Sequence, residues 1–231
     1  LNRPGKLNAL NAEICGALTG ALADLERDAN TRVVVLEGSG PSFCAGADLT
    51  EGNVTPTGTD WSARRRDQGS WQRILEAFDR LPQVTVAALH GHVIGGGSLL
   101  AAACDVRIAG DDTTVRIPEV AMSIPLTWGG IPLLVREVGL GLARDWVLSG
   151  RVVGPEELLR SAFAQQLVAV ERLPATIDSY VEGLLSVEPP VLAMTRAMTS
   201  ALGRGHPAMA AGWADADLLA WSLAEQRLKF A

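Results

Sequence analysis

A run of three glycines is the first place in this sequence where backbone groups could do chemistry. Gly95-Gly96-Gly97 lies between a predicted buried strand and a predicted helix of small apolar residues. Glycine leaves backbone N–H groups open to a ligand, and N–H groups at a helix N-terminus favour developing negative charge. The same run is also typical of a tight crossing of two backbones, where only a hydrogen atom fits. Both interpretations stay open.

A second loop of small residues, Cys44-Ala45-Gly46-Ala47-Asp48, follows another predicted strand. It too is consistent with a close-packed turn. Two loops that expose backbone in one chain predict an oxyanion site with two N–H donors, each stabilising the transition state by roughly 3–4 kcal/mol. Few polar functional side chains neighbour the two loops, so we expect backbone donors and one acid to do the chemistry.

Strands that alternate with helices position these loops. A compact apolar run predicts a buried strand over Val33–Leu36, a second buried strand is predicted over Val84–Leu89, and a third short strand over Val106–Ala109. The spacing of apolar residues predicts helices over Ala12–Asp28, Trp71–Leu81, Ser98–Cys104, Trp128–Val138, Leu142–Leu148, Pro155–Ala162 and from Leu167 onwards. Alternating strands and helices over the first two thirds indicate an α/β core, and the last third is almost wholly helical in pattern. We therefore divide the chain into a core over residues 1–173 and a helical module over residues 174–231.

Composition excludes several classes of protein. The 231 residues are 48% hydrophobic, which argues against disorder, and the net charge of −6 leaves no basic footprint for nucleic acid. The three cysteines, Cys15, Cys44 and Cys104, are an odd number without metal-type spacing, so we expect neither a disulfide framework nor a metal site. The longest uncharged apolar run, Val93–Cys104, is too short for a membrane span. A reducing, cytoplasmic setting fits these features best.

Short segments along the chain resemble, in order, motifs of the enoyl-CoA hydratase/isomerase (crotonase) superfamily: Leu1–Leu10, Phe43–Leu49, Gly91–Gly97, Ala103–Asp105, Pro118-Glu119 and, in the C-terminal helix, Glu225-Gln226-Arg227. The resemblance implies an α/β fold, a crotonase-like spiral of ββα turns with a helical C-terminal trimerisation module, assembled as a homotrimer or a dimer of trimers. It also implies an acyl-CoA substrate, with coenzyme A entering as part of that substrate. No separate cofactor, metal, nucleic acid or membrane span is expected, and the family's first strands would precede Leu1.

The resemblance also assigns the donors and the substrate path. The Ala47 and Gly96 N–H groups would bind the thioester oxygen, which agrees with the interpretation reached from the residues alone. Groups of the small loop and of the N-terminal segment would line the path of coenzyme A: Ala45, Asp48, Leu49, Lys6, Leu7 and Ala9. Further substrate contacts are expected at Gly95, Leu99, Pro118 and Thr127.

The acids expected at the site favour one reaction of this family. Hydratases of the family use two glutamates, and the matching positions here are Leu99 and Glu119. Leucine cannot deprotonate water, and one general acid–base group is worth roughly 10²–10⁴ in rate, so efficient hydration is disfavoured by roughly 3–5 kcal/mol. Thr127 occupies the position where dienoyl isomerases and dehalogenases of the family place aspartate. A single Glu119 resembles the Δ3,Δ2-enoyl-CoA isomerases, in which one carboxylate moves a proton between C2 and C4. An apolar Leu99 would keep water from the dienolate.

Two alternatives stay open: a hydratase that replaces the missing acid by another residue or a held water, and a non-catalytic acyl-CoA-binding protein. Arg116 opposes a catalytic Glu119, because a guanidinium within reach would lower the pKa of the carboxylate and weaken it as a base. Glu119 could instead be a buried, ion-paired acid. Trp128 stands where small residues are common in the family, and we assign it to packing. His90 and His92, before the glycine run, are assigned to packing or hydrogen bonding.

Overall fold

The computed structural model describes residues 1–50 and 69–205. Over these residues the strands are β1 (Val33–Leu36), β2 (Val84–Leu89), β3 (His92–Ile94), β4 (Val106–Gly110), β5 (Thr114–Arg116), β6 (Val152–Val153) and β7 (Gln166–Val168). The α-helices are α1 (Ala12–Arg27), α2 (Ser70–Arg80), α3 (Gly96–Ala103), α4 (Gly130–Ser149), α5 (Pro155–Arg160), α6 (Leu173–Leu185) and α7 (Pro189–Arg204). Short 3-10 turns span Pro4–Lys6, Val120–Met122 and Val170–Arg172.

Two sheets are built from these strands. The first has the order β1-β2-β4-β7, with every neighbouring pair parallel. The second has the order β3-β5-β6, in which β3 and β5 are parallel and β5 and β6 antiparallel. Two successive units follow the order strand, strand, helix, namely β2-β3-α3 and β4-β5-α4, and in each the first strand joins the first sheet and the second strand the second sheet. The predicted α/β class is confirmed.

The core lies on both faces of β2, whose six residues are all buried. Side chains alternate along a strand, so the two faces of β2 pack against different layers. Ala87 and Leu89 belong to a large apolar cluster shared with the inner faces of α1 to α4. Val86 and Ala88 belong to a second cluster, which includes the start of α6. Burial along the whole strand, without alternation, is therefore what a parallel strand covered on both faces shows.

The predicted strands and the first two predicted helices match the structure to within one residue at each end. Asn11 caps α1, since its side-chain oxygen accepts a hydrogen bond from the N–H of Ile14 at 3.0 Å. The helix α3 begins at Gly96, two residues before its predicted start at Ser98, so part of the glycine run is already helical.

The predicted boundaries around Trp128 and Leu167 are wrong. The two helices expected over Trp128–Val138 and Leu142–Leu148 are one helix, α4, which is interrupted at Gly139, where φ is 78°. Trp128 precedes α4 and has a positive φ. Leu167 lies in β7 rather than in a helix, because it pairs with β4, a partner remote in sequence that local periodicity cannot reveal.

The helical part of the chain begins with α6 and α7. The start of α6 packs against the first sheet. The helix α7 is held by Arg196, whose buried guanidinium donates to the C=O groups of Phe78 and Leu81 and to the carboxylate of Asp105. The division at residue 173 stays a prediction, and residues 206–231, including Glu225-Gln226-Arg227, lie outside the described residues. None of the described helices is both long enough and apolar enough to cross a bilayer.

Candidate active site

The glycine run joins β3 to α3 and is closely packed at each of its residues. A side-chain carbon on Gly95 would lie 2.6 Å from Glu119 Oε1, and one on Gly97 would lie 2.7 Å from the backbone oxygen of Cys44. On Gly96 such a carbon would collide with the indole of Trp128. Gly95 also has a φ of 50°, which favours glycine. The tight crossing is therefore present, and it places Glu119 and Trp128 against the N-terminus of α3.

The Cys44–Asp48 loop is fixed between the N-terminal segment and the glycine run. Leu10 forms a β-bridge to Ala47. At Gly46 φ is 83°, and a side-chain carbon there would lie 2.8 Å from the backbone oxygen of Ile94. Only glycine fits at this position, so the loop reaches the residue before the glycine run. The two loops predicted to share a site are neighbours in the structure.

The N–H groups of Ala47 and Gly96 have no hydrogen-bond acceptor within residues 1–50 and 69–205. In the bridge, the C=O of Gly46 accepts a hydrogen bond from the N–H of Leu10 at 2.7 Å, and the N–H of Asp48 donates to the C=O of Leu10 at 2.9 Å. The N–H of Ala47, between them, makes no hydrogen bond to Leu10. At the start of α3, the N–H of Ser98 donates to the C=O of Gly95 at 2.9 Å, whereas the N–H of Gly96, as the first of the helix, has no intrahelical acceptor. Both predicted donors are thus available to an oxygen atom, as an oxyanion site requires.

Glu119 follows β5 and Pro118, and its carboxylate lies against Gly95. Its Oε2 is buried and has no hydrogen-bond partner in the part of the chain that the structure describes. Burial raises the pKa of Glu119 above its ordinary value, and a hydrogen bond from its own backbone N–H opposes this only in part. A mostly buried carboxylate with a raised pKa and a free oxygen has the properties of a general base.

Arg116, three residues before Glu119, does not neutralise it. Its Nε donates to the C=O of Gly150 at 2.8 Å, and the residue is exposed. Among the described residues, no cation forms an ion pair with Glu119. Arg116 therefore does not weaken Glu119 as a base, and within residues 1–50 and 69–205 Glu119 is not the ion-paired acid of the alternative interpretation.

Leu99 stands at the position that the family resemblance assigns to a second carboxylate, and its neighbours include apolar groups. Leu99 is buried in α3, and its Cδ1 would lie 2.8 Å from a side-chain carbon on Gly130. Leu126 approaches the same point. Thr127 is also buried, and its C=O accepts a hydrogen bond from the N–H of Gly130 at 2.9 Å. Leu99 and Thr127 therefore both lie beside Gly130 at the start of α4, and neither supplies an acid.

The contacts predicted for coenzyme A lie along one loop and the N-terminal segment beside it: Lys6, Leu7, Ala9, Ala45, Asp48 and Leu49. The N–H of Ala45 donates to the C=O of Leu7 at 2.9 Å, which ties the two segments together. Lys6 and Leu49 are exposed. An extended ligand could therefore reach them from solvent.

Sequence reasoning missed two residues that fix this loop. Arg3 pairs with Asp48 at 2.9 Å, and hydrogen bonds from Thr50 and from Arg3 hold the pKa of Asp48 well below its usual range. Asn8 is fully buried with a φ of 57°, and its amide donates to the C=O of Ser42 at 2.8 Å. Asparagine tolerates left-handed backbone, which is the signal that could have identified Asn8. The contact between Arg3 and Asp48 spans 45 residues and has no local signal.

Trp128, assigned to packing from the sequence, packs on Gly96 itself. It also stacks on Trp71 of α2, with ring centroids 5.2 Å apart and planes 21° apart. Sequence reasoning missed Trp71, because the stack joins α2 to the segment before α4 and no local pattern connects them. Trp128 therefore packs as predicted, but it does so beside a predicted donor.

Other side chains considered as reactive groups have ordinary structural roles. His90 bonds to a backbone C=O, and His92 bonds to the hydroxyl of Thr114, as predicted. Burial raises the pKa of the Cys44 thiol and that of the Cys104 thiol to about 12, so both are protonated at neutral pH. Within the described ranges, no three His, Cys, Asp or Glu side chains are grouped as a metal ion would need.

The chain is similar over nearly its whole length to one family of enzymes. The enoyl-CoA hydratase/isomerase family matches residues 1–223. YngF of Bacillus subtilis, whose name places it in the same family, is 36% identical over 184 residues. These residues cover 77% of this chain and 65% of YngF, so the match spans less than two thirds of that protein. The short-chain-enoyl-CoA hydratase of Clostridium acetobutylicum is 29% identical over 206 residues, which cover 89% of this chain and 76% of the relative.

Solved structures with related names have a similar fold. An enoyl-CoA hydratase from Bacillus anthracis has a TM-score of 0.79 and 28% identity, covering 92% of this chain and 84% of its own. A monofunctional enoyl-CoA isomerase from M. smegmatis has a TM-score of 0.73 and 27% identity, covering 88% and 86%. The crotonase-like fold expected from the sequence is confirmed by these neighbours. A hydratase and an isomerase are both among them, so similarity alone does not distinguish the two reactions.

Proposed function

Because the chain belongs to the enoyl-CoA hydratase/isomerase family, we propose that it moves the double bond of a 3-enoyl-CoA thioester to the 2-position, with Glu119 as its single acid–base group. The observation that carries the proposal is the Glu119 carboxylate. It lies against Gly95, and one of its oxygens is buried without a partner in the described residues. The position of a second carboxylate is taken by the buried Leu99.

The two free N–H groups would polarise the thioester. When its carbonyl oxygen accepts hydrogen bonds from Ala47 and Gly96, the negative charge that develops as a proton leaves C2 is stabilised by roughly 3–4 kcal/mol for each donor. The C2–H bond breaks, its electron pair enters a conjugated dienolate, and Glu119 takes the proton. Return of that proton to C4 forms the 2,3 double bond and restores the carbonyl group. The reaction is an internal proton transfer, so it needs no oxidant, reductant or metal ion.

The environment of Glu119 suits both halves of this transfer. Burial raises the pKa of Glu119, which strengthens the carboxylate as a base at C2. After it takes the proton, the neutral acid is the form that the buried setting favours, so the proton is held for delivery to C4. Arg116 bonds to Gly150 instead of Glu119, so it does not hold the carboxylate in its charged form.

Hydration of a 2-enoyl-CoA is the second candidate, and the names of similar proteins favour it, including the hydratase of Clostridium acetobutylicum. Addition of water needs a group that orients and deprotonates it. Leu99 lies against Leu126 and Gly130 and cannot do so. A water held elsewhere would have to replace that group, which is why we prefer isomerisation. A non-catalytic acyl-CoA-binding protein is the third candidate.

We also propose that the chain assembles as a homotrimer or a dimer of trimers. Four apolar side chains recur at helical spacing along α7 and are largely exposed: Val191, Met194, Met198 and Leu202. An exposed apolar stripe of this kind is typical of a protein interface. Sedimentation analysis of the purified chain tests the assembly, and a monomer at micromolar concentration would contradict it.

One experiment separates the candidate activities. The purified protein is incubated with a 3-enoyl-CoA and, separately, with a 2-enoyl-CoA, beside a Glu119→Gln variant and a Glu182→Gln control at an exposed position of α6. We expect isomerisation of the 3-enoyl substrate, a loss of roughly 10²–10⁴-fold in Glu119→Gln, and no loss in Glu182→Gln. Hydration of the 2-enoyl substrate at ordinary enzymatic rates would refute the role given to Leu99. Binding of both thioesters without turnover would favour the non-catalytic candidate.

A further inference from the structure

The ring of Trp128 forms one wall of the space in front of α3. The nearest atoms to a side-chain carbon placed on Gly96 are the six-membered ring of Trp128 and Cδ1 of Leu10. The residue before, Gly95, is bordered by the Glu119 carboxylate. An acyl chain whose thioester oxygen is bound at Gly96 and whose C2 lies near Glu119 therefore passes the indole within its first few carbons.

The ring of Trp128 is held by both its stacking partner and its backbone. Trp71 of α2 stacks on it with ring centroids 5.2 Å apart. The backbone of Trp128 has a φ of 62°, in the left-handed region that bulky residues rarely adopt. Such a conformation persists only where the surroundings determine it. Both residues are half-buried, so part of the pair faces open space.

We propose that Trp128 is a specificity-determining residue that restricts the site to short acyl chains, and that Trp71 is a positioning residue that holds its ring. This rests on the proposed function in taking an acyl-CoA thioester as the ligand, with its oxygen at Gly96 and its C2 near Glu119. A fixed indole between Gly96 and Trp71 would block a longer chain from extending toward α2. Each methylene that a pocket cannot accept lowers the affinity for the longer thioester, relative to the shorter one, by about tenfold or more.

Binding of saturated thioesters tests this without any turnover. Butanoyl-CoA and decanoyl-CoA have no double bond to move, so calorimetric titration with them measures the acyl pocket alone. The variants are Trp128→Gly, since glycine adopts the left-handed backbone of that position without strain, and Trp71→Ala. Ala162→Gly, at an exposed position with a φ of 59°, is the matched control for glycine at a left-handed residue.

We expect the wild type to prefer butanoyl-CoA, and Trp128→Gly to raise the affinity for decanoyl-CoA relative to butanoyl-CoA by at least about tenfold. Trp71→Ala should shift the ratio in the same direction by less, and Ala162→Gly should not shift it. An unchanged ratio in a Trp128→Gly protein that still binds butanoyl-CoA would overturn the proposal and leave the proposed function intact. If Trp128→Gly does not fold, the ratio for Trp71→Ala decides by the same criterion. A wild type that binds neither thioester would overturn the proposed function and this proposal together.

Discussion

Replacing Gly95 with alanine would test whether the position of the Glu119 carboxylate, and not only its presence, determines turnover. The added carbon would lie 2.6 Å from Glu119 Oε1 and 3.5 Å from its Cδ. The backbone of Gly95 has a φ of 50°, which strains alanine. Since the carboxylate is the far end of a flexible side chain, we expect it to move while the surrounding backbone stays in place.

The structure sets the size of that movement. To regain an ordinary van der Waals separation, Oε1 of Glu119 must move by about 0.9 Å. A misplacement of about 1 Å costs roughly 10²-fold in rate, so Gly95→Ala should lower kcat about 100-fold. The strained backbone should also lower the free energy of unfolding by about 1–3 kcal/mol. The nearest atoms to the added carbon belong to Glu119, so the proposed donors at Ala47 and Gly96 should stay in place and KM should change little.

The assay follows formation of the conjugated 2-enoyl thioester by its absorbance, and denaturant unfolding measures stability. Gly16→Ala is the control, because a side-chain carbon at this position of α1 meets nothing within 4 Å. That variant should keep its kcat and gain up to about 1 kcal/mol in stability. A folded Gly95→Ala protein with wild-type kcat would refute the reasoning, since turnover would then not depend on where the Glu119 carboxylate lies.

Three further predictions concern the pH dependence of turnover, the pH dependence of stability and a buried arginine. Burial raises the pKa of Glu119 above its ordinary 4.5, so kcat/KM should fall as the pH falls through that raised value, and an acidic limb below 4.5 would contradict the assignment. The native state then binds this proton more tightly than the unfolded state, so stability is lost as the pH rises above 4.5. Glu119→Gln should be more stable than the wild type at neutral pH and equal to it in acid. Arg196→Met should lower the free energy of unfolding by about 3 kcal/mol, because its three acceptors lose a buried donor. Arg204→Met, at a side chain that is 41% exposed, should lower the free energy of unfolding by less than about 1 kcal/mol. Equal losses of stability in the two arginine variants would contradict this expectation.

The parts of the fold that could be predicted are those with a local signal. The buried strand β2 is apolar except for Thr85, and α1 has both helical spacing and a capping asparagine at Asn11. The two loops of small residues were predicted from residue types alone to share a site, and the structure places them side by side. The assignment of Ala47 and Gly96 as the donors came from the family resemblance and stays a prediction. Physically, a ligand oxygen can approach a backbone N–H only where side chains are small, so the feature is visible in residue types alone.

The parts that could not be predicted depend on partners far away in the chain. Strands β3, β5 and β6 are two or three residues long and exist only through pairing with one another. The stack between Trp71 and Trp128 and the ion pair between Arg3 and Asp48 join separate segments in the same way. The direction of the Arg116 side chain, on which the basicity of Glu119 depends, is likewise set by the distant Gly150.

The central claim is that one carboxylate carries a proton from C2 to C4, and a 3-enoyl-CoA deuterated at C2 tests it most directly. Because Glu119 has a buried oxygen without a partner in the described residues, part of the deuterium it takes should reach C4 before it exchanges with water. Mass spectrometry of the 2-enoyl product should therefore find deuterium at C4 with the wild type. Conversion should fall roughly 10²–10⁴-fold in Glu119→Gln. Product formed by Glu119→Gln at the wild-type rate, without deuterium at C4, would contradict the claim.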